Sequence, residues 1–263
     1  MLITQSFIKE IKDYNHTISP KYDVNTTCGL QIKAKYYDGI EFPPSEVQLL
    51  GQWFEFQATG QTTKYGHVPI APTLKGGKLP KKYISMLVQV AMFKKMMEDY
   101  GFEIISTGTT IEHNGMKGDV DIIAKRLSDG KTVYIDIKTS GLMEDKWSEF
   151  GWDTSALMYK DRLMIQAVHY TLIGNGILGY YPDFYFLVFS NTNEIERKAI
   201  QVYIDPDRYA EHAKTVNNIN LLRARYEQEG YQAVPTVKRC ADCPLKENCE
   251  SAIEIPEIEI VGY

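Results

Sequence analysis

Residues 118–140, GDVDIIAKRLSDGKTVYIDIKTS, decide the reading of this chain. Two alternating runs, 119–126 and 132–139, flank the pair Asp129-Gly130. Such a pair between alternating runs marks a two-residue hairpin turn, because a type I′ turn needs positive φ at both central positions. That turn predicts Ser128 opposite Lys131, Asp121 opposite Lys138 and Ile122 opposite Ile137. Successive strand side chains point to opposite faces. Val120, Ile122, Ala124, Val133, Ile135 and Ile137 therefore share one apolar face, suited to a core. The other face carries Asp121, Asp136 and Lys138, with Asp119 nearby.

On that face Asp121 and Asp136 become diagonal neighbours, several Å apart on ordinary cross-strand spacing. Two carboxylates that close repel unless a proton or a cation sits between them. Hard divalent ions such as magnesium favour one or two carboxylates together with water and phosphate oxygens. Lys138, two residues beyond Asp136, projects on the same side, where it is suited to hold a phosphate or polarise an attacking water. A surface hairpin with its charges in water is the plain alternative. Asp, Asp and Lys in register favour the metal site.

Gly118-x-x-Asp121 followed by Asp136-x-Lys138-Thr139 resembles motifs II and III of the PD-(D/E)XK nucleases, in particular their RecB-like branch. The resemblance implies a restriction-endonuclease-like α/β core, a mixed central sheet flanked by helices. It also implies metal-dependent phosphodiester hydrolysis with DNA as the substrate. Upstream, Gly51-Gln52-Trp53-Phe54-Glu55 falls where the related iron–sulfur nucleases show Gly-x-x-x-His as motif I, with Glu55 standing in the place of the His. A Glu can ligate a hard cation; an exposed acid on an amphipathic helix is the other reading. Downstream, Gln166 and Tyr170 lie four residues apart on one face of a helix expected over 161–173. They resemble the additional Gln-x-x-x-Tyr motif of RecB-type nucleases, whose Gln and Tyr lie beside the DNA and the catalytic centre. His169 beside them is read as structural. On this resemblance magnesium or manganese belongs with Asp121, Asp136, Glu55 and the Ile137 backbone carbonyl, and Lys138, Gln166 and Tyr170 complete the catalytic set.

The chain holds four cysteines, Cys28, Cys240, Cys243 and Cys249. Two disulfides would suit a secreted protein, but no export signal accompanies them. Cys240, Cys243 and Cys249 form a Cys-x2-Cys-x5-Cys run with metal-ligand spacing, and Cys28 is the remaining candidate for a fourth ligand. Four thiolates bind zinc or an iron–sulfur cluster, and spacing does not separate the two. A lone Cys near the N-terminus, with the triplet after the nuclease motifs, resembles the iron–sulfur staple of CRISPR-associated RecB-like nucleases and AddB-type nuclease domains. It implies a 4Fe-4S cluster. The expected organisation is one nuclease domain over 1–263, with its core at about 84–205. The cluster would join an N-terminal helical segment, 1–60, to a C-terminal segment, 206–263.

Composition sets the outer bounds. A length of 263 residues suits one sizeable domain or a core with an appendage. The net charge of −5 argues against a chain that grips nucleic acid over its whole surface. It leaves room for a local channel, since acidic metal ligands count as negative until ions arrive. No apolar run approaches the ~20 residues of a membrane span. The N-terminus MLITQSFIKEIKDYN is broken by charge and lacks a signal-peptide core. A cytoplasmic location is the resulting expectation.

Residues 1–27 carry no decisive pattern, although Asn25, Thr26 or Thr27 suits the cap of a short helix through Cys28, Leu30, Ile32 and Tyr36. Ser45 suits the N-cap of a helix through Val47, Leu50, Trp53 and Phe54. Residues 57–82 read as irregular and locally basic, with Lys75, Lys78, Lys81 and Lys82: a flap touching the DNA backbone or a solvated loop. A long helix with Met86, Val90, Phe93, Met97 and Tyr100 on one stripe ends at Gly101, its methionines in the core. Residues 102–113, 184–190 and 199–204 read as strands. Residues 144–160, with Trp147, Phe150, Trp152 and Tyr159, read as a loop beside the site, its aromatics stacking on bases or buried. Asp205-Pro206 opens a helix to about Gln228.

No GxxxxGK[ST] loop occurs, so no helicase motor is read. The expected protein is an exonuclease on single strands or duplex ends. It acts alone or beside helicase, integration or recombination partner proteins, in repair, recombination, phage or CRISPR-adaptation settings. A homo-oligomer is left open. A DNA-end-binding or assembly module without cleavage is the reading from another class, and a zinc-stapled structural protein is a third.

Overall fold

A computed structural model describes residues 1–17, 27–63, 66–141, 143, 157–193, 195–241 and 243–252. Its elements in chain order are β1 (Ile3–Thr4), α1 (Gln5–Thr17), α2 (Gly29–Tyr36), α3 (Glu46–Thr59), α4 (Lys81–Asp99), β2 (Phe102–His113), β3 (Met116–Arg126) and β4 (Thr132–Ser140). Then come α5 (Leu157–Leu178), β5 (Asp183–Ser190), β6 (Arg197–Val202), α6 (Pro206–Glu229) and α7 (Val237–Ala241). The chain divides into two compact units, Met1–Gln5 with Pro44–Lys214 and Ser6–Pro43 with Thr215–Tyr263. No described helix is long and apolar enough to cross a membrane.

The first unit is built on a mixed six-stranded sheet with β1, β3, β4, β5 and β6 in that order and β2 also paired to β3. Along one edge of β3, β2 pairs antiparallel from end to end. The other edge is shared. Parallel β1 takes Met116 and Lys117, while antiparallel β4 takes Ile122 to Lys125. Residues 118–121 between them have no strand partner on that side, and this gap is where the site lies. The β4–α5–β5 crossover then returns to a parallel neighbour, the connection that requires a helix between strands.

The two faces of the hairpin divide as expected. Ile122, Ala124, Val133, Ile135 and Ile137 join a core with Leu50, Trp53 and Phe54 of α3 and Met86, Phe93, Met96 and Met97 of α4. The register differs by two residues from the prediction: Ile122 faces Ile135, not Ile137, and Ser128 does not face Lys131. Asp129 explains the shift. Its carboxylate takes Arg126 Nε (3.0 Å), Arg126 Nη2 (2.6 Å) and the Lys131 amide (3.2 Å). Only Gly130 of the Asp-Gly pair has positive φ, 72°. The loop is thus four residues long, and Arg126 and Lys131 close it. A two-residue turn with two positive φ values does occur, one hairpin earlier. Asn114 (47°) and Gly115 (75°) bring His113 opposite Met116 between β2 and β3.

Other boundaries moved for local reasons. Ser45 caps α3 in a full capping box with Gln48, as its position suggested. Cys28 itself, in extended backbone, is the N-cap of α2, so Thr27 is not; Asn25 and Thr26 lie outside the described residues. The irregular stretch after α3 is shorter than 57–82, because α3 runs to Thr59 and α4 begins at Lys81. Likewise α5 starts at Leu157, so residues 157–160 are helix, not loop; Trp147, Phe150 and Trp152 lie outside the described residues.

The second unit packs α1 and α2 with the C-terminal part of α6. Phe7, Ile8, Ile11 and Tyr14 of α1 are fully buried, as is Ile32 of α2. Tyr14 Oη accepts the Gln232 amide at 2.8 Å, and Tyr226 Oη donates to Asn15 at 2.9 Å. Gly29 begins α2 because nothing larger fits. A Cβ there would stand 2.4 Å from the Gln232 carbonyl and 2.7 Å from Tyr14 Oη.

Candidate active site

The last hydrogen-bonded pair of the central hairpin is Ile122 with Ile135, so Asp121 and Asp136 come next and lie level with each other. Here the strands part. Asp121 Oδ2 fills the gap by accepting the Ile137 amide at 2.8 Å. Asp136 is 1 % exposed. Its Oδ1 accepts from Gln166 Nε2 of α5. Its Oδ2 is buried and is held by the ammonium of Lys138. Glu55 comes in from α3, with Oε1 buried and without a hydrogen-bond partner among the described residues. Asp119, on the same strand face, is turned away and takes the Thr110 hydroxyl at 2.6 Å.

Tyr170 closes the gap in β3 from above. Its ring lies so close on Gly118 that an added Cβ would meet it at 2.6 Å. Gly118 is therefore a contact glycine, and the covering ring accounts for its place three residues before Asp121. Gln166, one turn before Tyr170 on α5, lies near the phenol and holds Asp136. The structure thus brings together Glu55, Asp121, Asp136, Lys138, Gln166 and Tyr170. His169 lies among backbone carbonyls and another histidine, as a structural residue would.

Among the described residues, three carboxylates against one ammonium leave an excess of negative charge around the buried Asp136. Burial, then the charge of Asp136, pushes Glu55 up to about 7. Burial, Asp136 and Glu55 raise Asp121 well above the usual carboxylate range, against the pull of the Ile137 amide. Burial works to strip the proton from Lys138, but Asp136 and Asp121 outweigh it and hold the ammonium above its ordinary value. Tyr170 keeps its proton for the same reasons, burial first and the two aspartates second.

These shifts have a consequence for stability. The folded pKa of Glu55 is raised, so the folded state binds more protons than the unfolded chain between pH 4.5 and about 7. Its contribution is fully present below 4.5 and is lost as pH rises through about 7. Denaturant unfolding in EDTA should show the protein about 2–3 kcal/mol less stable near pH ~8 than near pH ~5 from this group. Glu55→Gln should flatten that slope; an equally steep slope in the variant would exclude Glu55 as its source.

Whether a cation fits can be judged from the donors. Among the described residues no three His, Cys, Asp or Glu side chains converge as a ready metal cage; the aspartate oxygens are turned to the Ile137 amide, Gln166 and Lys138. The buried Glu55 Oε1, which lacks a hydrogen bond among the described residues and stands in a cluster of excess negative charge, is nonetheless what a hard divalent ion satisfies. The residues fit such an ion. In the second unit Cys28, Cys240, Cys243 and Cys249 line one pocket with Leu30 and Gln31. All four thiols are free. Two of the sulfurs accept hydrogen bonds, Cys28 from the Val234 amide (3.3 Å) and Cys243 from Gln31 Nε2 (3.4 Å). The four sulfurs thus share one pocket and two of them face N–H donors, although no three of them converge as a ready cage.

No described protein family matches the chain, and neither does any curated protein. Among solved structures, a protein from Eubacterium rectale described as a candidate exonuclease has a TM-score of 0.60. It is 14 % identical, over 97 % of this chain and 90 % of its own. An alkaline exonuclease from Laribacter hongkongensis has a TM-score of 0.37 at 10 % identity, over 86 % and 90 % of the two chains. A protein designated SSO0001 has 0.34 at 13 %, over 95 % and 97 %. The first likeness establishes a shared fold, a central mixed sheet flanked by helices; the other two scores are too low to add to it.

Proposed function

We propose that the chain is a magnesium- or manganese-dependent deoxyribonuclease of the PD-(D/E)XK type, RecB-like, acting as an exonuclease on single strands or DNA ends in the cytoplasm. The observation that carries this is the Asp121–Asp136–Lys138 cluster, centred on the buried Asp136 at the point where β3 and β4 part, with Gln166 on Asp136. The sharing of fold with a candidate exonuclease supports it.

A divalent ion held by Asp121, Asp136, Glu55 and the Ile137 carbonyl would polarise the scissile phosphate and acidify the attacking water. The chain's own groups do the rest. Lys138 keeps its proton, so it serves as a fixed positive charge beside the phosphorus as water adds and the bond to the leaving sugar oxygen breaks. Its ammonium also orients that water. Gln166 holds Asp136 in place from α5. Tyr170, protonated and over Gly118, presents a phenol beside the strand to be cut.

The cysteine pocket is proposed to hold a 4Fe-4S cluster whose part is structural. Cleavage of end-labelled single-stranded and duplex DNA, linear and circular, tests the enzyme reading, with magnesium, manganese or EDTA and anaerobically purified protein. The expected result is metal-dependent loss of linear DNA with circles spared. Folded protein that cuts neither form with either metal would refute the reading and leave DNA-end binding as the role of the fold.

A further inference from the structure

Two buried histidines stand outside the carboxylate cluster. His169 is 0 % exposed and His212 is 6 %. Nε2 of His169 lies 3.2 Å from the Ile3 carbonyl and 3.1 Å from the Lys117 carbonyl. A carbonyl oxygen can only accept, so Nε2 carries the proton and donates to both. Burial holds the His169 pKa down to about 4, so the ring is neutral. A neutral imidazole protonated at Nε2 has its lone pair on Nδ1. Nε2 of His212 is 2.9 Å from that atom and must therefore bring a proton to it. These partners thus fix one tautomer of His169 and one donor atom of His212.

The consequence is positional. The His169 ring ties α5 to β1 through Ile3, to β3 through Lys117 and to α6 through His212. Lys117 immediately precedes Gly118, the residue under the Tyr170 ring, and Tyr170 immediately follows His169. Gln166, nearly one turn earlier on α5, holds Asp136. We infer that the His169–His212 pair is a positioning device that sets the depth at which Tyr170 and Gln166 meet β3 and β4. Neither imidazole meets the substrate. Without the His212 proton the His169 ring can exchange tautomers. Its Nε2 lone pair would then face two carbonyl oxygens, and α5 would be pushed away from β3.

The kinetic part of the test rests on the nuclease reading; the spectroscopic part does not. Nitrogen-15 NMR of the imidazoles should show His169 in the Nε2–H form in the wild type and in His212→Gln, whose amide can still donate. His212→Phe should show a mixed or exchanged tautomer and a displaced Tyr170 ring resonance. In His212→Phe kcat should fall about tenfold or more while KM for DNA changes less than about twofold, and His212→Gln should recover most of the loss. An Nδ1–H form in the wild type overturns the inference, and that spectrum needs no variant to fold. So does a His212→Phe protein with a lowered melting temperature, an unmoved Tyr170 resonance and an unchanged kcat, because that is packing alone. A wild type that cuts no DNA refutes the nuclease reading and leaves the tautomer and Tyr170 signals to decide this one.

Discussion

Asp136→Ala is expected to lower DNA cleavage on the order of a thousandfold or more, and Lys138→Ala to do the same, with the fold intact in both. Asp136 is where the site converges. Gln166 from α5, Lys138 from its own strand and the charges of Glu55 and Asp121 all act on its carboxylate. Removing it takes away a proposed ion ligand and frees the two side chains that it orients. Stability should move the other way, or not at all. Asp136 is a main cause, after burial, of the raised pKa values of Glu55 and Asp121, so its loss relieves two buried carboxylates. Against this, Gln166, 7 % exposed, loses an acceptor, at a cost of about 1–2 kcal/mol. Melting in EDTA should therefore be level with wild type or above it while activity disappears. Lys138→Ala removes the one positive charge described among three carboxylates, so it should melt lower while also being inactive. Substantial cleavage retained by either variant would refute the assignment of that residue. Loss of folding in Asp136→Ala would refute the charge accounting instead.

Much of the site is legible in the sequence because strand parity survives an error in register. A shift of two residues leaves every side chain on its expected face. Ile122, Ile135 and Ile137 therefore belong to the core, and Asp121 and Asp136 to the site, although their predicted partners differ from the observed ones. What the residues do not reveal is the use Asp129 makes of its side chain. An Asp before Gly reads as a type I′ turn, but a carboxylate that can take an arginine and an amide can close a longer loop. Asn114-Gly115 is an equally strong turn signal, but it stands between the weakly alternating residues 102–113 and a strand whose first residues, Met116 and Lys117, precede the motif. Neither flank there has the clean alternation that makes such a pair readable as a hairpin. In α1, Phe7, Ile8, Ile11 and Tyr14 have helical spacing that predicts one buried face, yet the charges between them hide it. Gly118 is visible as part of a motif, but its reason, the ring of Tyr170, lies some fifty residues away in sequence. His212 has no local signal at all. Its role exists only through a tertiary contact, and no spacing on α6 announces it.

Loss of the proposed thiolate-bound group from the second unit is expected to lower its melting temperature on the order of 10–20 °C, whether by Cys240→Ser or by chelation. Chain connectivity is the reason. Cys28 caps α2, while Cys240 stands next to last in its helix, α7. A link between them closes a loop of roughly 200 residues, and loop entropy assigns about 5 kcal/mol to such a closure. That is comparable with the whole stability of an ordinary domain. It adds to the apolar packing of Phe7, Ile8, Ile11, Tyr14 and Ile32 and to the hydrogen bonds across this unit. They include the Tyr14–Gln232, Tyr226–Asn15 and Tyr37–Tyr231 hydrogen bonds, each worth about 1 kcal/mol net. A group bound by all four thiolates would thus be a covalent brace between N-terminal and C-terminal segments of the unit, beside that packing. Iron and sulfide analysis identifies it: a brown protein with both is the 4Fe-4S form, and a colourless one with zinc refutes that assignment while leaving the brace in place. A redox role makes a different prediction, cleavage that tracks the oxidation state while melting stays constant. Unchanged melting after complete removal of the bound group would therefore overturn the structural role.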